Sequence, residues 1–154
     1  MFDLGGEAVR HAPEFVVVRD GVASFVDVAV DADLARHPLR MALITGDLLA
    51  EDGRRFSLET AATIRAEPRY ATVKLVLACR RTPVSADDRV RILHHLDETG
   101  SARLVEMAAV VQNTPDGVAA VLALVVEGLI DLDIARPILP ETRLRRRKLS
   151  LAEI

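Results

Sequence analysis

Two valine-rich runs joined by a two-residue turn constrain the fold of this chain more than any other feature. The runs are Glu14–Arg19 and Val22–Val30, and Asp20-Gly21 lies between them. A tight turn whose twist matches that of its strands needs residues that accept positive φ, which makes this dipeptide a strong hairpin signal. The sequence therefore predicts an antiparallel β-hairpin near the N-terminus.

The predicted hairpin carries two carboxylates that could hold a divalent cation. Glu14 follows a proline at the start of the first strand, and Asp27 lies on the second. Mg²⁺ prefers oxygen ligands, polarises a phosphoryl group and generates a hydroxide nucleophile. Glu14 and Asp27 are thus candidate metal ligands and candidate catalytic residues. The alternative is a plain half-buried hairpin, because the alternation of Asp27 and Ala29 with valines is what such a strand shows.

The pattern resembles the PD-(D/E)xK nuclease motif, in which an acidic residue after a proline opens one strand. The next strand of the motif carries an acidic residue, any residue and a lysine. That lysine points to the same face as the acid, where it orients the attacking water or stabilises developing negative charge. Ala29 stands at its position here. The resemblance implies a nuclease-like site that has lost one of its working groups.

The rest of the first half alternates helix and strand signals. Asp33–Ala50 has apolar residues at helical spacing and is followed by Gly53 as a stop signal, Arg55–Thr60 has the features of a short strand, and Pro68–Arg81 those of a helix. With the hairpin, the predicted order is ββαβα. Glu59 would add an oxygen ligand if its strand ran beside the hairpin, although such a residue is more often solvated.

The second half predicts three short helices followed by two strands. Periodicity is interrupted by proline and small polar residues at Arg81–Ser85, so we predict a first domain over residues 1–82, a second over 83–148 and a tail over 149–154. The helices are predicted at 85–100, 101–112 and 117–127, and the strands at 129–134 and 137–146. These are the elements of a winged helix-turn-helix, which usually binds DNA. The predicted fold class is α+β, with a small restriction-endonuclease-like α/β domain followed by a winged-helix domain.

Basic residues of the second half lie outside the helix that would enter DNA. Asp116–Glu127 has no lysine or arginine and is almost wholly apolar, so we expect it to be buried or packed on a partner and not to read bases. A basic run instead follows the wing, and such groups neutralise phosphates without reading sequence. The candidate DNA-binding residues are Arg80, Arg81, Arg143, Arg145, Arg146, Arg147 and Lys148. The alternative is a solvated basic tail.

Composition narrows the classes of function. A chain of 154 residues with 50% hydrophobic content can bury a core. An aromatic content of 3% argues against base stacking, and a net charge of −3 means that any contact with DNA must be local. Cys79 is the single cysteine, which excludes an internal disulfide. Met1–Arg10 lacks the pattern of a signal peptide and Val118–Val126 is too short to span a bilayer, so we predict a cytoplasmic protein with no membrane partner.

The order of these motifs resembles the TnsA-like transposase endonucleases, whose PD-(D/E)xK domain precedes a winged helix. The resemblance covers about residues 8–147 and rests on His11–Phe15, similar to the family's His-x-Pro-Asp-Phe strand, on Val26–Val28, and on Gly128–Asp133 followed by Pro140–Thr142. It implies a DNA-processing or mobile-element context. The implied partners are DNA, a transposase-like protein or a second copy of the chain, and the implied cofactor is Mg²⁺.

By this resemblance, we expect two of the four active-site positions of that family to be missing. Only about ten residues precede His11, too few for the family's glutamate-bearing helix plus a strand, and Ala29 replaces the lysine. His11 is close enough to the carboxylates to hydrogen-bond one of them, although a histidine at a strand end is usually only a surface group.

Three hypotheses remain open. The main prediction is a catalytically impaired relative that binds DNA or a transposase-like partner. The second is an active Mg²⁺-dependent DNA endonuclease that uses Glu14 and Asp27. The third is an unrelated αβ protein whose winged helix serves dimerisation through the apolar third helix.

Overall fold

A computed structural model describes the backbone of residues 2–4, 7–9, 11–19, 21–29 and 37–148, and confirms a mixed α+β composition. The described residues divide into two compact units, one up to Arg65 and one from Ala66. From sequence, the boundary is predicted after residue 82. The division falls earlier because the helix at Arg69–Ala78 packs against the helix at Gly117–Val126. In addition, the hydroxyl of buried Thr72 donates to the carbonyl of Arg136 at 2.8 Å.

The predicted hairpin is present in the first unit. Two short N-terminal strands that the sequence analysis did not predict, β1 (Phe2–Leu4) and β2 (Glu7–Val9), pair with each other. The hairpin itself follows as β3 (Phe15–Arg19) and β4 (Val22–Ala29), which pair antiparallel. Gly21 in its turn has a φ of 74°, a backbone conformation that residues with a side chain rarely adopt. The hairpin prediction is confirmed.

A helix crosses from the hairpin to a third, parallel strand. It is α1 (His37–Glu51), it leads to β5 (Arg55–Thr60), and β5 pairs in parallel with β4, which gives the strand order β3-β4-β5. Parallel neighbours need such a crossover. Gly46 of α1 is buried, and a Cβ there would lie 2.4 Å from the ring of Phe56 on β5. The absent side chain therefore lets α1 lie close to the sheet. A short helix, α2 (Ala61–Ile64), ends the unit.

The second unit begins with two helices, and a second pair of helices follows, with one strand before the pair and two strands after it. It contains, in order, α3 (Arg69–Ala78) with a 3₁₀ turn at Cys79–Arg81, α4 (Ala86–Thr99), β6 (Ala102–Arg103), α5 (Leu104–Ala109), α6 (Gly117–Val126), β7 (Ile130–Leu132) and β8 (Arg143–Arg146). The three strands are antiparallel with the order β6-β8-β7.

Most of the predicted elements of this unit are confirmed, with shifted ends. The helix predicted for 85–100 spans Ala86–Thr99, capped by the hydroxyl of Ser85 and stopped at Gly100. The helix predicted for 101–112 is shorter, because its first residues form β6 and pair with β8.

Among the helices that the structure describes, none combines the length and the apolar character needed to cross a membrane.

The core of the second unit lies between α4, α5, α6 and the sheet. Its fully buried large side chains are Ile92, Leu96, Met107, Val121, Leu124, Ile130 and Leu144. At about 25 cal/mol per Å² of apolar surface, burial of such side chains is the main force that holds the unit together. Leu144 is the residue of β8 that belongs to this core.

Helix α6 is buried on more than one side. Five consecutive residues, Ala120–Leu124, are buried. Val121 and Leu124 belong to the core, whereas α3 and the 3₁₀ turn pack against the helix as well. The expectation that this apolar helix is buried is therefore confirmed. Residues 120–124 are covered within the chain itself, which removes them as the exposed dimer interface of the third hypothesis.

Candidate nucleic-acid interface and carboxylate site

Asp27 of β4 is buried and joins the two strands of the hairpin at its open end. Its side chain is 4% exposed. Its Oδ1 accepts the backbone N–H of Glu14 at 2.9 Å, and its Oδ2 lies 2.7 Å from Nε2 of His11. The predicted hydrogen bond between His11 and one of the carboxylates is thus present. Asp27 fixes the segment that leads into β3 against β4.

The residues present fit a Mg²⁺ nuclease site poorly. Asp27 is already bonded to two protein partners and is nearly inaccessible, whereas the side chain of Glu14 is exposed. Ala29, at the position of the motif lysine, is buried and apolar. Within the part of the chain that the structure describes, no group of three or more histidine, cysteine or acidic side chains is arranged to hold a metal ion. Metal binding by Glu14 and Asp27 stays a prediction.

Glu59 does not join this pair, although its strand does run beside the hairpin. In the parallel register, Leu58 lies opposite Asp27 and Glu59 lies opposite Val28. Residues paired across a sheet share a face and successive residues alternate, so Glu59 is on the face opposite to that of Asp27. Its Oε2 accepts the hydroxyl of Thr63 at 2.9 Å, which places it at the start of α2.

The basic run divides between the two faces of the three-stranded sheet of the second unit, β6-β8-β7. On β8, Leu144 is fully buried, while its neighbours Arg143 and Arg145 are exposed. Alternation therefore points both arginines away from the core. Arg143 is paired in register with Arg103 of β6, and Arg145 with Asp131 of β7. The outward face of this sheet thus carries three arginines and one aspartate.

Arg103 is a member of this face that the sequence analysis missed. It lies between buried Ala102 and Leu104, an alternation that could have indicated its outward position. Its guanidinium donates to Glu106 at 2.6 and 2.8 Å. The hydrogen bond from Arg103 lowers the pKa of Glu106, and the same contact raises the pKa of Arg103. Arg103 is therefore held in place and partly neutralised.

The remaining residues of the run surround a cleft at the end of α4. The cleft has a volume of about 410 Å³ and is lined by Leu96, Asp97, Gly100, Arg146, Arg147 and Lys148. Arg146 pairs with Asp97 at 3.1 Å. Among the described residues, no carboxylate lies within ion-pair distance of Arg147 or Lys148.

Arg80 and Arg81 lie in the 3₁₀ turn after α3, and both are exposed. Nη1 of Arg80 donates to the carbonyl of Leu77 at 3.1 Å. They are available to solvent, but they belong to a different element from the arginines of β8. Their contact with DNA stays a prediction.

Asp88 of α4 is a buried carboxylate that the sequence analysis did not single out. It is fully buried and accepts the backbone N–H groups of Gln112 and Asn113 and the hydroxyl of Thr114, at 2.8 to 3.2 Å. Arg91 donates to it at 3.0 Å. Burial alone raises the pKa of Asp88, but hydrogen bonds from Gln112, Ser85, Thr114 and Asn113 outweigh burial and hold that pKa far below its ordinary range. Asp88 thereby fixes the turn between α5 and α6 to the start of α4.

Comparisons with known proteins do not assign this chain to a family. No protein-family model, curated protein sequence or solved structure matches it. The resemblance to TnsA-like endonucleases stays a prediction, and any function rests on the residues described above.

Proposed function

We propose that this chain is a DNA-binding protein of the DNA-processing or mobile-element kind, whose nuclease-like unit no longer cleaves. The observation that carries the proposal is the outward face of the sheet β6-β8-β7, which we take as the wing sheet of a winged helix and where Arg143 and Arg145 are exposed on β8. Exposed guanidinium groups on a strand held by a buried core residue are suited to phosphate contacts.

The arrangement of elements supports this proposal. The order α4-β6-α5-α6-β7-β8 and the strand order β6-β8-β7 agree with a winged helix. In the first unit, an antiparallel hairpin followed by a helical crossover to a parallel strand agrees with an endonuclease-like sheet. Both resemblances concern fold, and function is inferred from the charged surface.

The second unit carries a net positive charge, as DNA binding through this unit requires. Residues 66–148 hold 13 lysines and arginines and 11 acidic residues, whereas residues 1–65 hold 7 and 11. The acidic balance of the whole chain therefore comes from the first unit. The second unit can approach the phosphate backbone despite a net charge of −3.

Binding through the wing sheet would carry little sequence preference. Helix α6, the element that reads bases in a winged helix, is buried at residues 120–124 and has no basic residue. Phosphate contacts fix the position of a protein on the duplex without specifying sequence. We expect weak, salt-sensitive binding to duplexes of unrelated sequence.

Loss of cleavage follows from the first unit. A working site needs carboxylates free to bind a cation and a basic group beside them. Here Asp27 is bonded to His11 and to the Glu14 backbone, and Ala29 offers no charge. DNA cutting would then depend on a transposase-like protein partner, which we add to the proposal.

Fluorescence anisotropy of labelled duplex DNA tests the binding. The wild-type chain is compared with the double variant Arg143→Gln, Arg145→Gln over a series of salt concentrations. Because each lost phosphate contact lowers the salt slope by about 1, we expect the double variant to lose about 2. The double variant Arg54→Gln, Arg55→Gln is the control, since it removes the same charge from exposed positions of the first unit.

Two results would contradict the proposal. Equal loss of affinity in both double variants would mean that only net charge matters. Cleavage of DNA in the presence of Mg²⁺ that is abolished by Glu14→Ala would show an active nuclease, and would favour the second hypothesis.

A further inference from the structure

The cleft at the end of α4 contains more positive charge than its surroundings neutralise. Its lining includes Arg146, Arg147 and Lys148, and Asp97 is the one carboxylate among the described residues that line it. Helix α4 ends there, and its dipole opposes an anion with roughly half a unit charge. The three cations outweigh both opposing terms and leave a net of about +1.5 charges.

Arg147 is the residue of the cleft whose charge would gain most from a bound anion. Its side chain is half-buried, and no carboxylate of the described residues lies within ion-pair distance of it. A partly desolvated cation without a counter-charge is unfavourable. Its backbone is anchored, because its N–H donates to the carbonyl of Leu129 at 3.0 Å. A guanidinium that is fixed at its base and has no carboxylate partner among the described residues is suited to a bidentate contact with phosphate.

Asp97 limits this capacity. It binds Arg146 at 3.1 Å, so it removes one donor from the cleft and adds one negative charge. An incoming phosphate must displace or tolerate this carboxylate. The ion pair is at the surface, with side chains 36% and 55% exposed, and pairs of this kind are weak enough to exchange.

We infer that this cleft is a phosphate-binding site, in which Arg147 is the main contact and Asp97 lowers the affinity by holding Arg146. The inference rests on the proposed function in one respect, since it assigns the cleft one phosphate of the DNA backbone. The same chemistry would accept a free phosphate or pyrophosphate group. The cleft volume of about 410 Å³ is ample for either.

Three variants of the full chain test the site. Arg147→Gln removes the contact and Asp97→Asn removes the opposing charge. Glu98→Gln is the matched control, because Glu98 is adjacent to Asp97 on α4 but pairs with His94 and does not line the cleft. Binding is measured by calorimetry with inorganic pyrophosphate and by anisotropy with labelled duplex DNA, and far-UV circular dichroism verifies that each variant is folded.

The decisive expected result is a gain of affinity for pyrophosphate and DNA in Asp97→Asn. At about 0.1 M salt, one charge contact corresponds to roughly tenfold in affinity. We therefore expect Arg147→Gln to weaken both ligands by about tenfold and Asp97→Asn to strengthen them by several-fold. Glu98→Gln should change affinity by less than about twofold, since it lies outside the cleft. A stronger ligand complex in Asp97→Asn cannot arise from damage to the fold.

The outcomes separate this inference from the proposed function. Pyrophosphate binding that depends on Arg147 and Asp97, without DNA binding, would support the cleft and overturn the DNA proposal. DNA binding unchanged by Arg147→Gln and Asp97→Asn, without pyrophosphate binding, would overturn the cleft and leave the DNA proposal in place. Absence of both would overturn both.

Discussion

Replacement of Leu122 by alanine tests whether α6 is covered by its own chain. Leu122 is 1% exposed. It lies about 100° around the helix from Val121, which belongs to the core between α4 and α5, whereas Leu122 does not. The elements that pack on α6 from outside that core are α3 and the 3₁₀ turn. Loss of Leu122 should therefore open a cavity beneath α3.

The magnitude follows from the atoms removed. Three carbons at about 0.8 kcal/mol each give a loss of about 2.4 kcal/mol if the cavity closes. An unrelaxed cavity raises the loss toward about 5 kcal/mol. With a urea dependence of about 1–3 kcal/mol per molar, a loss of about 2.4 kcal/mol lowers the midpoint of unfolding by about 1–2 M, and an unrelaxed cavity lowers it further. Val118→Ala, on the same helix but 41% exposed, should cost less than about 1 kcal/mol.

The chain supplies its own probe for this measurement. It has one tyrosine and no tryptophan, and the tyrosine is Tyr70 on α3, so tyrosine fluorescence reports unfolding of the second unit. Sedimentation velocity is run in parallel at several protein concentrations. An unchanged urea midpoint in Leu122→Ala, together with dissociation of an oligomer, would refute the argument and place a second copy of the chain on α6.

Two further predictions concern the same unit. Gly117→Ala should lower the stability of the unit by about 1–3 kcal/mol, because a Cβ at Gly117 would lie 2.5 Å from the carbonyl oxygen of Ala108 on α5. Urea unfolding measures this loss of stability. An unchanged midpoint would mean that α5 and α6 can move apart at no cost in free energy. Asp88 should make stability depend on pH: its folded pKa is held well below the unfolded value near 4, so its contribution is complete above about pH 4 and is lost as the pH falls below that value. The difference in urea midpoint between the wild type and Asp88→Asn should therefore shrink from pH 6 to pH 3, and a constant difference would show that the charge of Asp88 is not involved.

Local signals in the sequence are sufficient to predict an element where a single residue dictates the backbone conformation. Gly21 dictates the turn of the hairpin, and Ser85 with Gly100 marks both ends of α4. The boundary between the units could not be found in this way. It depends on α3 packing against α6 about 40 residues later, and proline or polar residues at Arg81–Ser85 carry no information about that contact.

Partners distant in the sequence explain what was missed at the candidate sites. Asp88 has the appearance of an acidic residue in the first turn of a helix, a position that favours carboxylates by itself. Only the fold brings Gln112, Asn113 and Thr114 to it. Likewise, the spacing of Glu14 and Asp27 suggested two free ligands, whereas the structure shows Asp27 bonded to His11 and to the Glu14 backbone.

The basic run illustrates why a count of charges is insufficient for locating a binding surface. In sequence, Arg143 to Lys148 form one continuous block with a single interruption, Leu144. Burial of Leu144 in the core makes this block a strand, and the strand divides it. Arg143 and Arg145 face outward, whereas Arg146 pairs with Asp97 and Arg147 borders the cleft. Truncation after Glu141 would therefore remove a core strand together with the charges, and loss of DNA binding in such a chain would reflect unfolding. Substitutions that keep Leu144 isolate the charge, and they alone can show which face of β8 meets the phosphates.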